Sequence, residues 1–241
     1  MKNIIKLASI VLVFSFTLFG LTNKASAAKL TMYCSVEIDV CEMLEQAYEK
    51  ETGTKVAMTR ASSGETFAKI KAESSNPKGD VWFGGTGDPH LTAAQENLTE
   101  KYKSTHFNDL LPAAQNQAKN ADFKSVGIYV GALGFGYNKD LLAKKGLPAP
   151  KSWMDLTKPI YKGEIQVANP NSSGTAYTTL ATILQIFGED KGWDYMKALH
   201  LNINTYTKSG SAPIKATGRG ENLIGICFQH DGVKQTKKGL P

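Results

Sequence analysis

Four loops in this chain combine glycine with hydroxyl side chains, and one apolar run ends on an imidazole beside a carboxylate. The loops are Ser62-Ser63-Gly64-Glu65-Thr66, Gly84-Gly85-Thr86-Gly87-Asp88, Asn171-Ser172-Ser173-Gly174-Thr175 and Lys208-Ser209-Gly210-Ser211. Each stands where an extended segment ends or a helix opens. Backbone N–H groups at those places lack intrahelical partners and face the positive end of the helix dipole, so they suit an oxyanion. Glycine lets the backbone approach the anion closely. Ser62-x-x-Glu65 also reads as a capping box, which many helices carry without a ligand. Four such loops together point to an anion cleft. None continues into Gly-Lys-Ser/Thr, so the nucleotide P-loop is excluded.

The second feature is Ile224–Phe228, an apolar run followed by Gln229, His230, Asp231 and Gly232. His230 and Asp231 could form a catalytic pair, ligate a metal, clamp a ligand or simply occupy a loop. Catalysis has little support, because no Gly-x-Ser-x-Gly elbow and no His-Glu-x-x-His motif is present. The four histidines, His90, His106, His200 and His230, are not paired at metal-ligand spacing. His106 and His200 read as surface residues. His90 follows the glycine-rich loop and is placed to line a cleft.

The elements that must position these residues alternate. Strands are expected over Lys29–Cys34, Lys55–Arg60 and Asp80–Gly84, separated by helices over Val40–Lys50 and Ser62–Ala72. That alternation is the pattern of an α/β fold with a mainly parallel sheet. Helices follow over Thr92–Tyr102 and Asp109–Asn116. The glycine-rich SVGIYVGALGFGY, residues 125–137, reads as the crossing between two lobes. Beyond it come helical segments over Leu141–Lys145 and Trp153–Leu156, a strand over Glu164–Ala168 and helices over Ala176–Phe187 and Gly192–His200. Asn202–Tyr206 reads as extended, Pro213–Thr217 as helical and Leu223–Phe228 as the strand that carries His230 and Asp231.

With 241 residues and 41% hydrophobic content, the chain can fill one large or two small cores. Lys2 and Lys6, the uncharged run Leu7–Leu21 and Ala25-Ser26-Ala27 make residues 1–27 a secretory signal peptide. The run is shorter than the roughly 20 residues of a spanning helix. No cysteine sits at the cleavage point and Cys34 lies too far on, which argues against a lipid anchor. Loss of Lys2, Lys6 and Lys24 would lower the formal charge from +6 to +3. No dense basic patch of the kind nucleic acid requires remains. In an oxidising compartment Cys34 and Cys41 are expected to pair, and Cys227 reads as an inert core thiol. The final Lys-Lys-Gly-Leu-Pro gives the impression of a chain cut short.

Several segments together resemble the extracellular solute-binding proteins of ATP-driven importers. They are YCS, TRASSGETFAKI, GDVWFGGTGDPH, GALGFGYNKD, YKGEIQVANPNSSGTAYT and SGSAPIKATGRGE. The resemblance spans residues 28–241 and is to the branch labelled ferric-iron-binding, which also holds hexose-phosphate binders. It implies a two-lobed, type II-like periplasmic binding protein, with mixed, mainly parallel sheets, helices on both faces and a ligand cleft between the lobes. Lobe 1 would span 28–130 and lobe 2 would span 131–241. Relatives usually run longer, so a return of the chain to lobe 1 is expected beyond Pro241.

The resemblance also implies a ligand. Ferric members carry two adjacent tyrosines just after the last strand, where this chain has His230 and Asp231. Those two suit sugar hydroxyls better than Fe³⁺. The implied ligand is a hexose phosphate. Ser62, Ser63, Thr66, Gly85, Thr86, Ser173, Gly174 and Thr175 would hold its phosphate, and His230 and Asp231 would hold its sugar. The alternative is ferric iron with a synergistic anion, with Glu37 or His90 as metal ligands. The further implications are an ABC permease with its ATPase as partner, a monomer, no cofactor and no nucleic acid. The location would be the periplasm or the outer face of the cytoplasmic membrane.

Overall fold

A computed structural model describes residues 29–241, so the signal-type segment 1–27 lies outside the described residues. Alternating apolar residues in KLTMYC and KVAMTR form β1 (Lys29–Cys34) and β2 (Lys55–Arg60), which pair in parallel along their whole length. The short β3 (Val81–Phe83) joins the other side of β1, giving the order β2-β1-β3. The crossovers are α1 (Ile38–Thr52) and α2 (Ser63–Ala72). Cys34 and Cys41 are joined, with Cα atoms 6.0 Å apart, and tie the end of β1 to α1.

The second sheet has the order β4-β7-β5-β6, built from β4 (Leu133–Tyr137), β5 (Ile165–Ala168), β6 (Ile203–Thr207) and β7 (Ile224–Phe228). β4 runs antiparallel to β7 and the other pairs are parallel. Its helices are α5 (Lys139–Lys145), α6 (Gly174–Phe187), α7 (Glu189–His200), α8 (Ala212–Gly218) and α9 (Gln229–Lys237). The two sheets make two lobes with a cleft between them.

The lobes differ in how much they bury. The second has a core that includes Leu156, Tyr161, Ile165, Ile183, Leu199 and Ile224. The first has a small buried cluster of Met32, Cys34, Cys41 and Val56. In the crossing segment Ile128 and Val130 are exposed, Val130 by 82%.

Several boundaries depart from expectation. α3 spans Gly87–Gln95, not Thr92–Tyr102. Its first turn accepts Pro89, whose missing N–H costs nothing there, and the chain leaves the helix before Asn97, at φ 56. α4 (Pro112–Asn120) likewise begins at a proline rather than at Asp109. Only Leu133–Tyr137 of the glycine-rich crossing is a strand. Trp153–Thr157 is a 3₁₀ turn. Most consequential, Gln229-His230-Asp231 is not a loop but the first turn of α9.

Candidate ligand-binding site

A cavity of about 500 Å³ opens between the lobes, lined by the C-terminal ends of strands and the first turns of helices from both. This is where open α/β sheets place their ligands. All four hydroxyl-rich loops reach it.

Ser62 and Ser63 open α2 at its edge. The Ser62 amide donates to Glu65 Oε2 at 3.3 Å, half of the capping box. The Ser62 hydroxyl donates across the cleft to the Lys208 carbonyl at 3.3 Å, and the Gly64 amide donates to the Ser172 carbonyl at 3.0 Å. The loops of the two lobes therefore touch directly. Ser63 Oγ accepts from the Thr86 amide at 3.3 Å. Gly85, at φ +93, has no room for a side chain, since a Cβ would run into Ser63 Oγ. Ser173 caps α6 by accepting from the Ala176 amide at 3.4 Å. Behind it the amides of Gly174 and Thr175 belong to the unpaired first turn of that helix. A Cβ at Gly174 would collide with Thr86 Oγ1. That hydroxyl oxygen is buried without a hydrogen-bond partner. A buried unpaired hydroxyl is costly, so a ligand oxygen there would offset the cost.

Two expected residues lie elsewhere. Thr66 is buried behind the cavity wall, its hydroxyl 3.0 Å from that of Ser35. Ser35 lines the cavity in its place and also accepts from Trp82 Nε1 at 2.9 Å. With Thr66 donating, the Ser35 proton is free to point at a ligand. His90 is turned away: its Nε2 lies 2.8 Å from the Gly84 carbonyl and its ring stacks on Trp82 at 3.7 Å. Burial pushes His90 below the usual histidine range, and the bond to Gly84 partly opposes this. The Gly85 amide is also engaged, accepted at 2.7 Å by the Tyr129 hydroxyl, which donates back to the Gly85 carbonyl at 2.8 Å.

His230 and Asp231 enter the cavity from the first turn of α9, which packs against α8 and β4. The His230 ring lies flat against Phe228, with centroids 5.6 Å apart and planes 10° apart. Its Nε2 is 3.8 Å from Asp231 Oδ1, too far for a hydrogen bond. Asp231 is only 6% exposed. Burial pushes its carboxyl above the ordinary range; His230, Lys215 and Lys234 oppose this, and Glu37 adds to it. A buried carboxylate facing a cavity is a strong acceptor for ligand hydroxyls.

Glu37 also lines the cavity, but Lys215 Nζ sits 2.5 Å from its Oε2 and Lys234 lies at 4.0 Å. Burial would raise this carboxyl, yet the Lys215 hydrogen bond and the two ammonium charges hold it below its usual value. Among the described residues no group of three or more His, Cys, Asp or Glu side chains is arranged to hold a metal ion.

Arg60, Tyr129, Ser209, Ser211 and Phe228 line the cavity too. The serines sit in a loop whose hydroxyls and glycine signal an anion site. Ser35 carries a weaker signal, a hydroxyl just past a strand end. Arg60 and Tyr129 give none, because only the tertiary fold brings them here.

The family model for bacterial extracellular solute-binding protein matches residues 81–238. An uncharacterized protein of Haemophilus influenzae is 44% identical over 226 residues, covering 92% of this chain and 65% of that one. The chain thus spans about two thirds of the length of this curated relative. A periplasmic binding protein from Actinobacillus pleuropneumoniae, solved with exogenous fructose-6-phosphate bound, superposes with a TM-score of 0.87 at 45% identity, covering 90% of this chain and 68% of that one. Iron-bound HitA from Pseudomonas aeruginosa shares the fold, with a TM-score of 0.71 at 20% identity, covering 88% and 66%.

Proposed function

The chain belongs to the bacterial extracellular solute-binding proteins, and from that premise we propose that it captures a small phosphorylated sugar for an ABC importer. The observation that carries this reading is the convergence of Ser62, Ser63, Thr86, Ser173, Gly174 and Thr175 on a cavity that also holds His230 and Asp231. Hydroxyls and first-turn amides receive the phosphate oxygens, while Asp231 accepts from sugar hydroxyls and His230 donates or accepts. Thr66 acts one step back, by holding Ser35. The fructose-6-phosphate complex of the Actinobacillus protein supports the same ligand class.

The partner is a membrane permease with its ATPase, and no cofactor takes part. The protein is exported as a monomer to the periplasm or the outer face of the cytoplasmic membrane. No described helix is long and apolar enough to cross a membrane.

The ferric alternative needs Glu37 or His90 as a metal ligand. Glu37 is committed to Lys215 and His90 to Gly84. Titration calorimetry with glucose 6-phosphate, glucose and ferric citrate tests the assignment. Saturable micromolar or tighter binding of the phosphate ester alone is expected. Binding of ferric citrate with a visible charge-transfer band, and no heat from the ester, would overturn it.

A further inference from the structure

We infer that Arg60 supplies the fixed positive charge by which this cavity selects a doubly charged phosphate ester over a singly charged analogue. The inference rests on the sugar-phosphate reading and deepens it. Three carboxylates line the cavity, those of Glu37, Asp88 and Asp231. Alone they would repel a dianion. Lys215 and Lys234, the ammonium groups beside them, are drawn to Glu37 and Asp39, and Lys208 leans toward Glu65 at 3.7 Å. Among the described residues lining the cavity, Arg60 is the one permanent cation.

Its geometry suits the task. Arg60 ends β2, where the chain turns into the Ser62–Ser63 loop. Nε donates to the Val36 carbonyl at 3.0 Å and Nη2 to Ser209 Oγ at 3.2 Å. These two bonds reach one loop in each lobe and fix the guanidinium plane. A guanidinium has five N–H donors, so the remaining donors stay available to phosphate oxygens. No carboxylate of the described residues forms an ion pair with it. A half-buried, oriented and unpaired guanidinium is the arrangement that binds phosphate in a forked, charge-assisted way.

The phosphate monoester of glucose 6-phosphate loses its second proton near pH 6 and is a dianion at pH 7.5. Glucose 6-sulfate has the same shape and one charge. The test is calorimetry at pH 7.5 of the wild type, Arg60→Gln and Arg60→Lys with both esters, with melting curves to verify folding. Hydrogen bonds to charged groups stabilise by enough to change affinity roughly 10- to 150-fold. Arg60→Gln should weaken phosphate-ester binding by that factor and narrow the phosphate-to-sulfate ratio at least several-fold. A general loosening of the site would weaken both esters and leave the ratio unchanged. Arg60→Lys keeps the charge and should retain most of the ratio while losing some affinity.

An unchanged ratio in Arg60→Gln overturns the inference. So does a loss of the phosphate-to-sulfate ratio in Arg60→Lys, which is read against the wild type and stands even if the glutamine variant does not fold. Failure of the wild type to bind glucose 6-phosphate at all would instead overturn the ligand assignment itself.

Discussion

Replacing Asp231 by asparagine should make the empty protein more stable and the loaded complex weaker. Asparagine has nearly the same shape, so packing in the first turn of α9 is preserved. What changes is the buried charge. The carboxyl is 6% exposed and its proton affinity is raised chiefly by burial. A group whose folded pKa lies above its unfolded value binds protons more tightly in the folded state. Its favourable contribution is complete below the unfolded pKa and is lost as pH rises through the folded one. At pH 7 Asp231 is therefore a liability in the empty protein. The helix dipole opposes this, because a negative charge in the first turn of α9 stabilises by about 0.5 kcal/mol. Burial is nevertheless the first cause acting on this carboxyl, and the net direction is upward. A net gain of about 1 kcal/mol is in keeping with removal of a functional strain, and in a domain of this size it raises the melting temperature by roughly 2–4 °C. The gain should shrink as pH falls below the folded pKa, where the wild type carries the proton as well. With glucose 6-phosphate the order reverses: loss of a charged acceptor should weaken binding roughly 10- to 150-fold. Calorimetric melting at pH 7 and pH 4, with titration calorimetry, reads both effects. A variant that melts lower than wild type at pH 7, or one with unchanged affinity, would refute the assignment of Asp231 as a buried, ligand-facing charge.

Gly174→Ala should leave the second lobe folded while weakening ligand binding, because the new methyl meets Thr86 of the other lobe when the cleft is closed. Overpacking of about 1–3 kcal/mol corresponds to roughly a 5- to 150-fold loss measured by calorimetry. Cys34→Ser with Cys41→Ser opens the short loop between β1 and α1 and should cost about 2.5 kcal/mol of stability, read as a lower denaturation midpoint. Adding reductant to the wild type should reproduce that shift.

The fold was most legible where several local signals agreed. Lys29–Cys34 and Lys55–Arg60 both alternate apolar with polar positions, and both form strands over those bounds. The Ser62-x-x-Glu65 capping box likewise announced α2, and the Asn171–Thr175 loop marked where α6 opens. α9 was hidden because Gln-His-Asp-Gly combines modest helix formers with glycine. Packing of α9 against α8 and β4, with Gln235 buried, overrides that preference. The same distinction runs through the site. Hydroxyl loops at helix starts could be picked out by type and position. Displacement of Thr66 by Ser35 could not, since it depends on how α2 sits against β1. Nor could the withdrawal of His90 onto Trp82, or the arrival of Tyr129 from the crossing segment to occupy the Gly85 amide.

The unequal cores of the two lobes give the ligand a second role. The second lobe can hold its shape through its own buried residues, whereas the first has a much smaller buried cluster around Met32, Val56 and one disulfide. Openings confined to the first lobe should therefore be the least costly excursions of the molecule. A ligand that needs both walls binds only when the first lobe is intact, so mass action stabilises that lobe by about 2.7 kcal/mol at 100 times the dissociation constant. Cargo and scaffold would then support one another: a bound ligand would help complete the fold that receives it.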